Sequence, residues 1–192
     1  MIATERFERV EVSSLDQLRD WLAANHGQED SVWLVRYKAE VPDKHVTRLQ
    51  LLDELLCWGW VDGLARKLDD RRTMQLISPR KQQAWAQTYK DRVAHLTAEN
   101  RMQPPGLAAI EISKQAGLWE AYAPVDALSV PEDLRAALAD NSSAQSFFEA
   151  AAPSYRRNVL RWIWTAKKPE TRAKRIAIVL EHSTRGGKVP QM

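Results

Sequence analysis

The sequence predicts an α+β fold: a small four-stranded sheet with two helices, followed by an α-helical C-terminal half. Three observations predict it. Segments that alternate apolar with polar residues, or are rich in β-branched and aromatic residues, fall before Pro79. Two helical stripes interrupt those segments, in the order β-α-β-α-β-β. After Pro79, apolar residues recur at spacings of three and four. The expected organisation is a sheet subdomain over 1–80 and a helical subdomain over 81–192, packed together as one compact unit.

The elements follow in order. "FERVEV" (7–12) alternates as an edge strand does. In "SSLDQLRDWLAANHG", Ser13 or Ser14 can cap a helix whose stripe is Leu15, Leu18, Trp21 and Leu22, and Gly27 fits its C-terminal end. "SVWLVRYK" (31–38) is a strand, and "TRLQLLDELLCWGW" is a helix stopped near Gly59. "VDGLARKLDD" and "RRTMQLISP" form two strands around a turn at Asp69 and Asp70. In the second half, Trp85, Tyr89, Val93 and Leu96 make one stripe. "QPPGLAAIEISKQAG" opens with prolines suited to a first helical turn. "YAPVDALSVP" is a connector. "SVPE" (129–132) and "SSAQ" (142–145) resemble capping boxes. Tyr155 to Ala166 and Pro169 to Ser183 form a final helical pair, and "RGGKVPQM" is expected to be a frayed tail.

Composition sets the broad class. The chain has 192 residues, 44% hydrophobic and 28% charged, the proportions of an ordinary globular protein. Its 8 tryptophans exceed ordinary usage and call for large buried surfaces or stacking sites. The single cysteine, Cys57, lies in the apolar run "LLDELLCW" and is expected to be inert. With no partner for an internal disulfide, no apolar leader and no long apolar run, a cytoplasmic protein without a membrane span is expected. Net charge is +3, but the ten Lys/Arg and two Asp/Glu from Pro153 to Met192 give that end +8. A basic end can attract an anionic partner or simply form a solvated face.

Candidate chemistry concentrates in three places. In "WGWVDG" (58–63), Trp60 can pack in the core, or Trp60 and Asp62 can line a concavity with Arg80. In "SPRKQQAW" (78–85), Ser78 fits an N-cap and Pro79 the first helical position. Arg80 and Lys81 would then stand at the wrong end of a helix dipole, which a bound anion or a salt bridge to Asp62 would resolve. Trp60, Asp62, Arg80, Lys81 and Trp85 are therefore the candidate ligand-binding residues. The third place is the terminal helical pair. There Arg157, Arg161, Trp164, Arg172 and Arg175 are candidates for a partner surface, placed opposite the apolar stripes. Basic residues interleaved with tryptophan also suit nucleic-acid phosphates, although no groove-reading motif occurs. The four histidines are scattered, and no metal, phosphate-loop or nucleophile motif appears, so no cofactor is expected.

Three segments in order carry a family resemblance. They are "ELLCWGWVDG" (54–63), "SPRKQQAW" (78–85) with "AENRMQPPGLAAIE" (98–111), and "RWIWTAKKPETRAKRI" (161–176). Together they resemble the YdeI/OmpD-associated family, also called bacteriocin-protection proteins. The family name implies tolerance of bacteriocins or cationic peptides and association with an outer-membrane porin. It implies no reaction, cofactor or catalytic residue. The expected function is thus a non-enzymatic, stress-related binding protein that recognises an anionic or amphipathic partner, a protein or a small anion. The alternative is a nucleic-acid-binding protein using the basic C-terminal helices.

Overall fold

Strand β1 (Arg9–Val12) and strand β2 (Val32–Tyr37) pair in parallel, joined by helix α1 (Leu15–Asn25). This computed structural model describes residues 6–190. Of the two possible caps for α1, Ser14 is used: its hydroxyl accepts the Gln17 N–H at 3.1 Å. The helix closes at His26, and Gly27 lies beyond its cap. After a short 3-10 turn, helix α2 (Arg48–Cys57) opens with a reciprocal capping box between Thr47 and Gln50. Strands β3 (Trp60–Lys67) and β4 (Arg72–Pro79) form a hairpin, and β4 also pairs antiparallel with β2. The sheet order is β1-β2-β4-β3.

The sheet is covered on one face by α1 and α2, through Leu18, Leu22, Leu34, Leu55, Trp60 and Ile77. Alternation along β2 sends Trp33 and Val35 to the opposite face, where they pack with Met74 under Phe7 and Leu68. The Arg66 guanidinium stacks there, 5.1 Å from the Trp33 ring centre.

Helix α2 has a second apolar side, and this moves the boundary expected at residue 80. Leu56 and Cys57 pack with Leu96 of α3 (Gln87–Ala98) and Ile110 of α4 (Pro104–Gln115). At the α2–α4 approach, Gly59 has φ +73°, and a Cβ there would lie 2.8 Å from the Pro105 carbonyl oxygen. Both helices therefore belong with the sheet in a first compact unit, Met1–Glu120. Residues 81–120 were expected in the helical subdomain; burying both sides of α2 draws them into the first unit.

The second unit, Ala121–Met192, is helical. Its helices are α5 (Ala123–Asp126), α6 (Glu132–Ala139), α7 (Ser142–Ala150), α8 (Pro153–Trp164) and α9 (Pro169–Thr184). They bury Leu134, Phe148, Tyr155, Val159, Ile163 and Val179 in one core. Helix α5 falls inside the expected connector. Neither expected capping box forms. Helix α6 has Pro131 at its N-cap with no side-chain bond, and α7 is capped by Asn141, which accepts the Ala144 N–H at 3.0 Å. Nor is the tail frayed as far as Val189, which is fully buried and donates its N–H to the Tyr155 hydroxyl at 3.2 Å. Gln191 and Met192 lie outside the described residues.

Candidate functional site

The first site forms where β4 leaves the sheet. Ser78 and Pro79 are the last residues of β4, not the start of a helix, and α3 begins only at Gln87 with Ala86 as its N-cap. Sheet pairing wins here because Ser78 is in register with Val61, and its hydroxyl hydrogen-bonds Ser31 at 2.7 Å. The expected clash between Arg80 and a helix dipole is therefore absent. Arg80 instead donates its backbone N–H to the Gly59 carbonyl at 2.9 Å, which fixes the chain as it turns away.

The Arg80 guanidinium lies over two rings, 3.9 Å from the Trp85 ring centre and 5.6 Å from that of Tyr89. Its Nη1 donates to the Gln83 carbonyl at 3.2 Å, and its Nε is buried without an acceptor. Among the described residues no carboxylate comes within 4.0 Å of Arg80. The anticipated Arg80–Asp62 salt bridge is thus not made. Asp62 accepts from the Tyr89 hydroxyl at 3.1 Å and stands 3.9 Å from Nη2 of Arg48. Burial pulls the Arg80 pKa down to about 10, opposed by the nearby Tyr89 and Asp62. Burial, and then the negative charge of Asp62, pushes the Tyr89 phenol upward. Trp85 is 1% exposed, tilts against Trp119 with ring centres 4.9 Å apart, and leaves its indole N–H without an acceptor.

Of the five predicted ligand residues, Asp62, Arg80 and Trp85 come together. Trp60 does not join them: its indole turns into the sheet–helix core, donates to the His26 carbonyl at 3.3 Å and meets Trp21 edge-on at 5.5 Å. Lys81 points to solvent, its ammonium 4.0 Å from Glu29. Tyr89 and Arg48 belong to the site and were missed. Tyr89 does follow Trp85 by four residues on the predicted stripe; Arg48 gives no local signal.

A second site lies on the second unit. A pocket of about 70 Å³ is walled by Pro124, Val125, Pro131, Leu160 and Trp164, with Ser129 and Arg172 at its margin. Tyr122 meets Trp164 edge-on at 4.8 Å. Arg161 covers the Tyr122 ring at 5.2 Å, and Lys167 covers the Trp164 ring at 4.3 Å. Arg157 donates to the Asp126 carbonyl at 3.3 Å. Arg172 and Arg175 behave differently. Arg172 bonds Asp133 at 2.9 Å and the Ile163 carbonyl at 3.2 Å. Arg175 bonds the Trp162 carbonyl and, at 2.9 Å, the Thr165 hydroxyl. They add donors to two carbonyls at the end of α8, which also accept from the Ala166 N–H at 3.1 Å (Ile163) and the Thr165 hydroxyl at 2.8 Å (Trp162).

The remaining ionisable groups of α2 are enclosed. Asp53 pairs with Arg92 at 2.6 Å, and Glu54 with Arg101 at 2.9 Å and Arg19 at 3.1 Å. Cys57 is buried, and burial followed by the charge of Glu54 pushes its thiol up to about 11. Among the described residues no group of His, Cys, Asp or Glu side chains is placed to hold a metal ion, and no helix is long and apolar enough to cross a membrane.

Fold and sites thus define an α+β chain with a stacked, unneutralised guanidinium on its sheet-bearing unit and a basic, tryptophan-edged pocket on its helical unit. The chain belongs to the family described as Domain of unknown function (DUF8412), which matches residues 10–109, more than half of its length. Residues 127–186 match the family described as Bacteriocin-protection, YdeI or OmpD-Associated. The resemblance read from the sequence is met there; the segments 54–63 and 78–85 fall within the other match. No curated protein and no solved structure matches the chain.

Proposed function

We propose that this chain is a non-enzymatic, cytoplasmic binding protein of the bacteriocin-protection type, acting in stress tolerance, and that it grips an anionic group of its partner at Arg80. One observation carries the reading: the guanidinium sits in a desolvated, ring-lined position with no carboxylate to neutralise it. Withdrawing a cation from water is costly unless an anion or several acceptors repay it. Trp85 and Tyr89 repay part through their faces. Asp62, which could repay more, is held by Tyr89 instead. Nη2 bonds no described residue and is free to meet a carboxylate or phosphate oxygen end-on. The nucleic-acid alternative is weakened because Arg172 and Arg175, two of its four arginines, are engaged with α8 and Asp133.

Arg80→Met tests this, because methionine keeps the stem and can lie on Trp85 without the charge. Thermal melting of the full chain is followed in inorganic phosphate and in potassium chloride of equal ionic strength. Phosphate, if bound by the native state alone, raises the melting temperature in proportion to the logarithm of its concentration. The expected result is a phosphate-specific rise in the parent protein and none in Arg80→Met, whose own stability is unchanged or higher. A parent protein indifferent to phosphate, or a variant that responds equally, refutes the reading.

A further inference from the structure

We infer that the pocket beside Trp164 is a docking site for an acidic peptide segment that inserts one apolar side chain. This goes beyond the Arg80 reading and rests on different residues in the other unit. The pocket has room for several heavy atoms, and Val125, Pro131, Leu160 and Trp164 offer an occupant mainly carbon. Such a cleft favours an aliphatic side chain over water.

The surrounding charge selects the flanks of the peptide. Among the described residues, Arg157, Arg161 and Lys167, which contact Asp126, Tyr122 and Trp164, have no carboxylate within 4.0 Å, whereas Arg172 has Asp133. The first three are carried by α8 and the turn after it. Arg161 and Lys167 are already ordered over Tyr122 and Trp164, so less side-chain freedom is lost when they meet an anion. The Arg161 Nε is buried without an acceptor. An apolar hole edged by unneutralised cations is complementary to a leucine or valine set among glutamates and aspartates. Duplex DNA would answer the charge and leave the hole empty.

The test uses the full chain and a fluorescein-labelled peptide, Glu-Glu-Leu-Glu-Glu, followed by anisotropy. Replacing the central leucine by serine should weaken binding at least about tenfold, the lower end for losing one buried aliphatic side chain. Ser129→Leu, at an exposed position on the pocket margin, should fill the hole and weaken binding similarly without lowering the melting temperature. Arg161→Gln with Lys167→Gln should weaken binding and flatten its salt dependence. Three outcomes overturn the inference: no saturable binding by the parent protein, equal binding of the leucine and serine peptides, or tighter binding of a duplex DNA than of the leucine peptide. Because Arg80→Met leaves this site intact, peptide binding that survives in that variant separates the inference from the phosphate reading.

Discussion

Gly106 lies so close to Cys57 that a Cβ on it would fall 2.1 Å from the Cys57 carbonyl oxygen. The contact is backbone to backbone, so no side chain can swing away. It joins the first turn of α4 to the end of α2, where the Gln103 N–H also donates to the same carbonyl at 3.1 Å. Gly106→Ala must therefore push α4 off α2. A loss of roughly 3 kcal/mol or more is expected, the upper end for overpacking a filled core. Gly27→Ala is the control, since a Cβ there meets nothing within 4 Å. Chemical denaturation of both variants checks this; equal midpoints would show that α4 tolerates displacement.

Cys57 should resist thiol reagents in the native state and react fast in denaturant. Its thiol is raised from 9.0 in the unfolded chain to about 11 by burial, so the fold favours the protonated form. That stability is complete below pH 9.0 and is lost as pH rises towards about 11. Cys57→Ala has no such loss. The parent protein should therefore weaken relative to Cys57→Ala across that window, and denaturant midpoints of the two proteins at a series of pH values measure it. A constant difference between them would mean that the thiolate is accommodated.

The buried carboxylates of α2 make a third prediction. Glu54 is 3% exposed and relies on Arg101 and Arg19. Arg101→Ala removes one partner, together with its 3.7 Å approach to Asp53, and leaves two charges less compensated inside. The expected cost is about 3 kcal/mol, the low end for a broken buried pair because Arg19 and Arg92 remain. Adding Glu54→Gln to Arg101→Ala should recover part of it. A double variant no more stable than the single one would place the penalty elsewhere.

How far the sequence reveals these features depends on the range of the interaction. The order β-α-β-α-β-β was legible because side-chain period is a local property of β2, α1 and α2. The end of β4 was not. Ser78 and Pro79 carry a good helix-start signal, but β4 pairs on both sides, and only the distant partners Val61 and Val32 determine that it continues. The Arg80 site was half legible. Asp62, Arg80 and Trp85 stand in recognisable segments, whereas Arg48 reaches Asp62 only through the packing of α2 on β3. Trp60 was ambiguous because a tryptophan beside a glycine turn suits a core or a ligand equally. Its strand register turns it toward Trp21. The same limit governs α9, whose helical period shows Arg172 and Arg175 on a polar face but not the carbonyls of α8 that they reach.

Those two arginines provide the last prediction. Arg172 ties α9 to Asp133 at the start of α6 and to the Ile163 carbonyl, so Arg172→Gln forfeits an ion pair and a carbonyl bond together. A loss of about 1–2 kcal/mol is expected, in the range for hydrogen bonds to a charged group, lowered because both side chains keep some solvent contact. The guanidinium's hydrogen bond holds the Asp133 carboxyl below its ordinary 3.8. Its contribution is therefore complete above that value and fades as acid protonates Asp133 in the fold. Arg172→Gln should accordingly lose most at neutral pH and converge on the parent protein in acid. Arg157→Gln, which forfeits a single 3.3 Å bond to a carbonyl, should cost less and show no such convergence. Urea midpoints of the three proteins at neutral pH and near pH 3 compare them directly. If Arg172→Gln matches the parent protein at neutral pH, the α6–α9 tie contributes nothing, and Arg172 is free to join the cationic rim of the Trp164 pocket.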